Sequence, residues 1–247
     1  MNLDLHKDLI DRNQALWQRK PLLRRVYADL YQAMALRLSR VNGPSVELGS
    51  GMGSIREVLP DCIRTDLFPY PWLDRVENAY QLTFADASLA NLLMVDVFHH
   101  LRYPGAALRE FQRALQPGGR VILMEPGLGL LGHLVYGPLH VEPIGRAADL
   151  QWSAPEGWSA DDMDYYAAQG NATRIFVQGH FADRLGAWNI LEVKRIAALA
   201  YVGSGGYSGP QLYPDAAYPL VKAVERIFQP FPSLFATRLL VVLEKKA

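Results

Sequence analysis

This sequence has a single cysteine, Cys62. It cannot form an internal disulfide, so nothing in its thiol content points to an oxidising compartment. Net charge is missing as well. Basic and acidic side chains number 25 each, and a chain with no basic excess lacks the electrostatic footprint of a nucleic-acid binder. Long apolar runs are also absent. The most apolar window, VILMEPGLGLLGHLVYGPL, contains Glu125, Pro126 and His133, and so falls short of the roughly 18 consecutive apolar residues of a membrane span. The opening stretch, MNLDLHKDLIDRNQALWQRK, is too charged for a secretory apolar region. Together these absences lead to the expectation of a cytoplasmic globular protein.

Half of the 247 residues are hydrophobic, which is ample for a core and fits one domain with elaborations or two small ones. From Leu3 to about Arg40, apolar residues recur at helical spacing, and Pro21 divides them into two helices. Asn42-Gly43-Pro44 then breaks the chain. Beyond it, strand-like runs (Ser45–Leu48, Cys62–Asp66, Leu92–Phe98, Val121–Met124) alternate with helical segments at Ser54–Leu59 and Ala106–Leu115. That alternation implies parallel pairing through right-handed crossovers, hence an open α/β sheet. From Gly127 to about Asp183 the pattern loosens around Trp152, Trp158, Tyr165 and Tyr166. It holds an acidic run at Asp161, Asp162 and Asp164, and a short helix is expected over Asp161–Gln169. The stretch reads as an insertion over the sheet. Regularity returns as a strand over Trp188–Leu199, a helix over Ala216–Phe228 and a last strand, TRLLVVLE, over Thr237–Glu244.

The stretch SVELGSGMGS, Ser45–Ser54, places Gly49, Gly51 and Gly53 between a buried strand and a helix start. A glycine-rich turn there lets the backbone approach a ligand and points N–H groups at it. The pattern is G-x-G-x-G, not the dinucleotide G-x-G-x-x-G. Glu47, at the strand's carboxyl end, suits a cationic ligand group better than a pyrophosphate. Asp66 ends the next strand, where a carboxylate can hold a ribose diol by paired hydrogen bonds.

With ENAYQLTFADASLANLLMVDVFHHL and ALREFQRALQPGGRVILMEPG added, the sequence resembles the class I S-adenosylmethionine-dependent methyltransferases. More narrowly, it resembles the small-molecule branch whose fourth strand ends in Asp-x-x-His-His-Leu, here Asp96-Val97-Phe98-His99-His100-Leu101. The resemblance covers residues 42–126 and the closing strands. It implies a Rossmann-like, mostly parallel seven-stranded sheet with helices on both faces. A helical cap over residues 1–41 would act as a lid, and the methyltransferase domain over 42–247 would carry an insertion at about 127–185.

The cofactor implied is S-adenosylmethionine. Glu47, Gly49, Ser50, Gly51 and Gly53 would cradle its methionine part, Asp66 and Leu67 its ribose and adenine edge. Asn78 and Ala79 would face the adenine, and Asp96 would stand at the end of the fourth strand. Asn78 replaces the usual acid, though its carbonyl oxygen can still accept a hydrogen bond. Ala90 replaces an aspartate often found early in the fourth strand.

Methyl transfer needs alignment, and a hydroxyl acceptor gains from a general base. His99 and His133 are the expected base candidates. Adjacent strand residues point to opposite sides, so one of His99 and His100 at most should face the site. With Asp96 the lone carboxylate near that strand end, no metal is expected. Tyr27 and Tyr31 lie four apart on one helix face, which is either lid or plain packing. The acceptor is expected to be a small, apolar or lipid-linked molecule methylated on a hydroxyl oxygen. Two other readings stay open. One is an S-adenosylmethionine-binding protein without catalysis, which Asn78 and Ala90 allow. The other is a nicotinamide-dependent reductase or epimerase, for which Tyr218 and Lys222 are badly placed.

Overall fold

The computed structural model describes residues 3–145, 150–161 and 165–246. Its strands are β1 (Ser45–Glu47), β2 (Ile63–Asp66), β3 (Arg75–Val76), β4 (Leu89–Val95), β5 (Leu115–Pro126), β6 (Trp188–Ile196) and β7 (Arg238–Lys245). They form one sheet in the order β3-β2-β1-β4-β5-β7-β6. The pairs among β1 to β5 are parallel, while β7 runs antiparallel between β5 and β6. The chain steps outward from β1 through β2 to β3, then returns to pair β4 on β1's other side. That reversal opens a crevice at the carboxyl ends of β1 and β4, where open α/β sheets bind ligands.

Both faces of the sheet are covered, which is why β4 is buried at all seven positions. Side chains alternate between two cores, as a period of two requires. Leu92, Met94, Val121, Leu123, Val241 and Leu243 turn toward α3 (Pro104–Ala114), whose Ala107, Leu108 and Phe111 meet them. Leu93, Val95, Ile122, Met124, Leu240 and Val242 turn to the opposite face. There they pack with Leu23, Tyr27, Leu30, Tyr31 and Met34 of α2 (Pro21–Ala35). Pro21 opens α2, preceded by α1 (Leu3–Arg19), so the proline divides the helical region as expected. Tyr27 and Tyr31 are buried in this layer, which favours the packing reading of that stripe.

Several expected boundaries move. The strand expected over Leu92–Phe98 runs Leu89–Val95, and the helix expected over Ser54–Leu59 is a 3-10 turn over Ser54–Glu57. The fifth strand begins at Leu115, because Leu115 pairs with Leu89 and the Pro-Gly-Gly segment bulges within the strand instead of ending a helix before it. β6 stops at Ile196, and α6 (Leu199–Ser204) begins where the strand was expected to end. The helix expected over Asp161–Gln169 falls partly outside the described residues, Asp162 and Asp164 among them. Residues 165–168 are not helical. Long-range hydrogen bonds claim their backbone, Ala168 N–H donating to His99 O and Gln169 N–H to Pro143 O. The helix, α5 (Asn171–Phe176), starts after them. α4 (Leu130–Tyr136) precedes this stretch, and α7 (Tyr218–Phe228) and α8 (Pro232–Phe235) lie between α6 and β7.

Candidate active site

The glycine loop starts where β1 ends, and Ser50 stitches it to β2. Ser50 N–H donates to Thr65 O at 2.8 Å, and the Thr65 hydroxyl donates to Glu47 O at 2.8 Å. Gly49 has φ +68°, and a Cβ there would lie 2.4 Å from Val97 Cγ2, so the position is closed to any side chain. Gly51 has φ +50°, and a Cβ there would meet only Ile10 Cδ1 of α1, in ordinary contact at 3.8 Å. The loop is therefore tightly packed on its β4 side and only lightly covered by α1 at Gly51.

Glu47 lies beside this loop, 1% exposed, with its Oε2 lacking a hydrogen-bond partner among the described residues. Burial pushes its carboxyl up to about 7, against hydrogen bonds from Ser50 and Tyr31 that pull it down. A buried carboxylate oxygen without a donor is costly unless something cationic or hydrogen-bonding completes it. This is the observation by which the residues fit an aminoacyl cofactor.

Asp66 ends β2 and binds the loop itself, accepting from Gly51 N–H at 2.9 Å. Trp72 Nε1–H donates to Gly51 O at 2.9 Å and closes the loop's outer side. Leu67 is 41% exposed at the mouth. Asn78, beyond β3, accepts from Tyr80 N–H through Oδ1 and donates to Ala160 O through Nδ2. Its amide thus ties the segment after β5 to the β3 end of the sheet. Ala79 packs beside it against the α3-side core.

At the end of β4, Asp96 adopts φ +57°, a strained conformation for a residue other than glycine. Its Oδ1 accepts from Arg238 Nη1 at 2.6 Å. Arg238 is fully buried under the ring of Tyr201, 4.6 Å from its centroid. Next comes a 3-10 turn, Phe98–His100, not a continued strand. Strand alternation no longer applies there, so His99 and His100 lie side by side with ring centroids 4.2 Å apart. They differ in exposure all the same: His99 is buried, while the His100 side chain is about one-third exposed.

His99 is 2% exposed. Its Nδ1 donates to Glu125 Oε2 at 2.8 Å, and Glu125 also accepts from the N–H groups of Val97 and Phe98. Burial alone would lower the His99 pKa, but the Glu125 carboxylate outweighs it and lifts the imidazole to about 10. Glu142 stands on the other side, its Oε2 3.5 Å from His99 Nε2 and its Oε1 3.8 Å from His100 Nε2. Burial would raise the Glu142 carboxyl, yet His99, His100 and the Tyr165 hydroxyl around it hold it at about 2. His99 is thereby fixed between carboxylates rather than presented to a substrate. His133 lies apart on α4, its ring Nδ1 bonded to Gly129 O of its own turn.

Among the expected residues, Glu47, Gly49, Ser50, Gly51, Gly53 and Asp66 gather around one loop, with Leu67 beside it. Asp96 and His99 share the end of β4; His133 does not join them. Sequence reasoning missed Glu125, Glu142 and Arg238 as site residues. Glu125 and Arg238 did leave a signal, since each is a charge set directly against an apolar run, VILM before Glu125 and LLVVL after Arg238. Glu142 left none, because its partners come from a turn far away in sequence.

Residues 46–123 match a family described as a methyltransferase domain. A search of curated protein sequences returns no match. Three solved structures share the fold. A Haloferax volcanii chain solved in complex with the Trm112 methyltransferase activator has TM-score 0.53 and 17% identity, covering 96% of this chain and 95% of that one. A SAM-dependent methyltransferase from Thermotoga maritima has TM-score 0.52 and 16% identity, covering 97% and 99%. Geranyl diphosphate C-methyltransferase from Streptomyces coelicolor, solved with Mg2+, geranyl diphosphate and S-adenosylhomocysteine, has TM-score 0.51 and 12% identity, covering 90% and 80%. At these identities the structures establish the fold, and the domain match falls on β1 to β5, the strands that build the glycine cradle. Residues 46–123 are thus a methyltransferase domain, and the enzyme's cofactor is S-adenosylmethionine.

Proposed function

We propose that the protein methylates a hydroxyl oxygen of a small-molecule acceptor. The Glu47 Oε2, without a hydrogen-bond partner among the described residues and beside the glycine loop, carries the cofactor half of this reading. When bound, the cofactor supplies a methyl group already activated on a sulfonium, so the protein's work is alignment and exclusion of water. Glu47 would face the ammonium of the methionine part, with the Gly49–Gly53 backbone around it. Asp66 would take the ribose hydroxyls, Leu67 would flank the adenine, and Asn78 and Ala79 would border its edge. Asp96, held by Arg238, would stand at the crevice floor near the transferring methyl.

The acceptor half rests on the polar cluster beyond β4. A hydroxyl nucleophile must lose a proton, and this cluster offers an ionised carboxylate, Glu142, together with His100, which is about one-third exposed at its side chain. Burial and the neighbouring His99 both depress the His100 pKa, which keeps its imidazole neutral. His99, buried and already engaged, acts through position. His133 is the weaker candidate because no polar group of the cluster touches it among the described contacts.

The test is transfer from methyl-labelled S-adenosylmethionine into a small-molecule extract, followed by mass spectrometry of the labelled product. A methyl ether supports the reading, and a methyl ester alone would point to a carboxylate acceptor and contradict it. Label found only on protein, on nitrogen or on carbon contradicts the oxygen acceptor.

A further inference from the structure

We propose that His99, His100 and Glu142 bind a divalent first-row transition-metal ion, for which zinc suits the donors best. The three offer two imidazole nitrogens and a carboxylate oxygen, all within 4.8 Å of one another. They come from two separate segments, the turn after β4 and the stretch after α4. The separations are informative. His99 Nε2 to Glu142 Oε2 is 3.5 Å and His100 Nε2 to Glu142 Oε1 is 3.8 Å, long for hydrogen bonds between such groups. Two ligands bound at 2.0–2.2 Å to one tetrahedral ion sit about 3.4 Å apart, so the gap between these atoms is of the size an ion fills.

The outer contacts point the same way. Both imidazoles are held at Nδ1, His99 by the Glu125 carboxylate and His100 by the Tyr166 carbonyl oxygen, each at 2.8 Å. Donation from Nδ1–H favours the tautomer in which both Nε2 atoms can present lone pairs to an ion beside Glu142. Such an ion would replace the proton between His99 Nε2 and Glu142 and displace the Gln169 amide nitrogen 3.3 Å from His99 Nε2. A carboxylate or backbone carbonyl behind each imidazole is the usual support of metal-ligating histidines, and it also strengthens them as donors. Glu142 is oriented in turn, accepting from the Tyr165 hydroxyl and the Gln169 side-chain amide. The sequence points away from this site, because carboxylates near Asp96 are what it suggests counting, and Glu142 reaches the histidine pair only through the fold. Three protein ligands leave a coordination position open, as catalytic zinc sites do. If the acceptor is the hydroxyl compound proposed above, its oxygen would take that position; the ion's binding itself does not rest on that reading.

The experiment uses the full-length protein without a polyhistidine tag, dialysed against chelator and then titrated with Zn2+ and with Co2+. The expected result is one equivalent of tightly bound Zn2+, visible d–d absorption from Co2+, and a higher melting temperature with Zn2+. His100→Ala and Glu142→Gln, both at partly exposed positions, should each weaken binding roughly 100-fold or more, since even outer-shell partners are worth 10–100-fold. Far-UV circular dichroism of the metal-free variants checks that they fold. Absence of stoichiometric binding in the wild type overturns the proposal, and so does undiminished binding in both variants. Titration of the metal-free protein with S-adenosylmethionine reports on the methyltransferase reading separately, because the metal cluster lies outside the glycine cradle.

Discussion

Glu47 is the residue on which the cofactor site turns. A carboxyl group raised to about 7 by burial is half protonated near neutrality, and an ammonium partner requires the ionised form. Below pH 7 each further unit should therefore weaken S-adenosylmethionine about tenfold, since the proton must first leave. Above pH 7 the affinity should level off. Calorimetric titrations at pH 6, 7 and 8 would show this slope, and Glu47→Gln should bind weakly with no slope at all. The same shift acts on stability with a definite sign. The folded pKa lies above the unfolded value of 4.5, so the favourable contribution is complete below about pH 4.5. It fades as the pH rises through 7, by about 3 kcal/mol in all. Glu47→Gln should remove that decline, so the denaturant midpoints of variant and wild type should diverge between pH 5 and pH 8 in the variant's favour. Parallel midpoints across that range would contradict the burial-raised carboxyl.

At the scale of elements, the end of β4 is built by partners that arrive from β5, β7 and the segment after α4. Arg238 enters from β7 and is fully buried on Asp96, a pair that breaks badly when one charge is removed. Asp96→Asn keeps a residue tolerant of positive φ yet leaves Arg238 without its counter-charge. It should cost about 3 kcal/mol, or roughly 6–12 °C in melting temperature for a chain of this size. A shift below 2 °C would show that Arg238 is satisfied elsewhere. These elements also mark where sequence ceases to speak. The β1 loop, Asp66 and the β4 run were legible because each is a local pattern: a glycine spacing, a strand-end acid, an apolar stretch. The side-by-side placement of His99 and His100 was not legible, since a 3-10 turn replaces the strand whose alternation would separate them. Likewise a helix is expected over Asp161–Gln169, but Ala168, Gln169 and Gly170 donate their N–H groups to His99 O, Pro143 O and Ile144 O. Tertiary hydrogen bonds there outweigh a local preference worth only tenths of a kcal/mol per residue.

At the scale of the molecule, the two N-terminal helices divide their duties. α2 forms one layer of the sandwich, with Leu23, Tyr27, Tyr31 and Met34 against the sheet. α1 instead reaches the glycine loop, with Ile10 nearest Gly51 and Trp17 stacked on Tyr207 at 6.4 Å. Lys20 joins the two by donating to Gly206 O and Gly209 O. Deleting residues 1–19 should leave the circular dichroism of the sheet intact and weaken S-adenosylmethionine at least tenfold. Deleting residues 1–40 should unfold the protein, since it strips one face of β4 and β5. Equal affinity in the shorter deletion would reduce α1 to packing. The measurement that bears most directly on the whole assignment is calorimetric titration of cofactor-stripped protein with S-adenosylmethionine, S-adenosylhomocysteine and NADH in parallel. Micromolar binding of the first two with none of NADH is the predicted result; NADH binding alone, or no binding of any of the three, would contradict it.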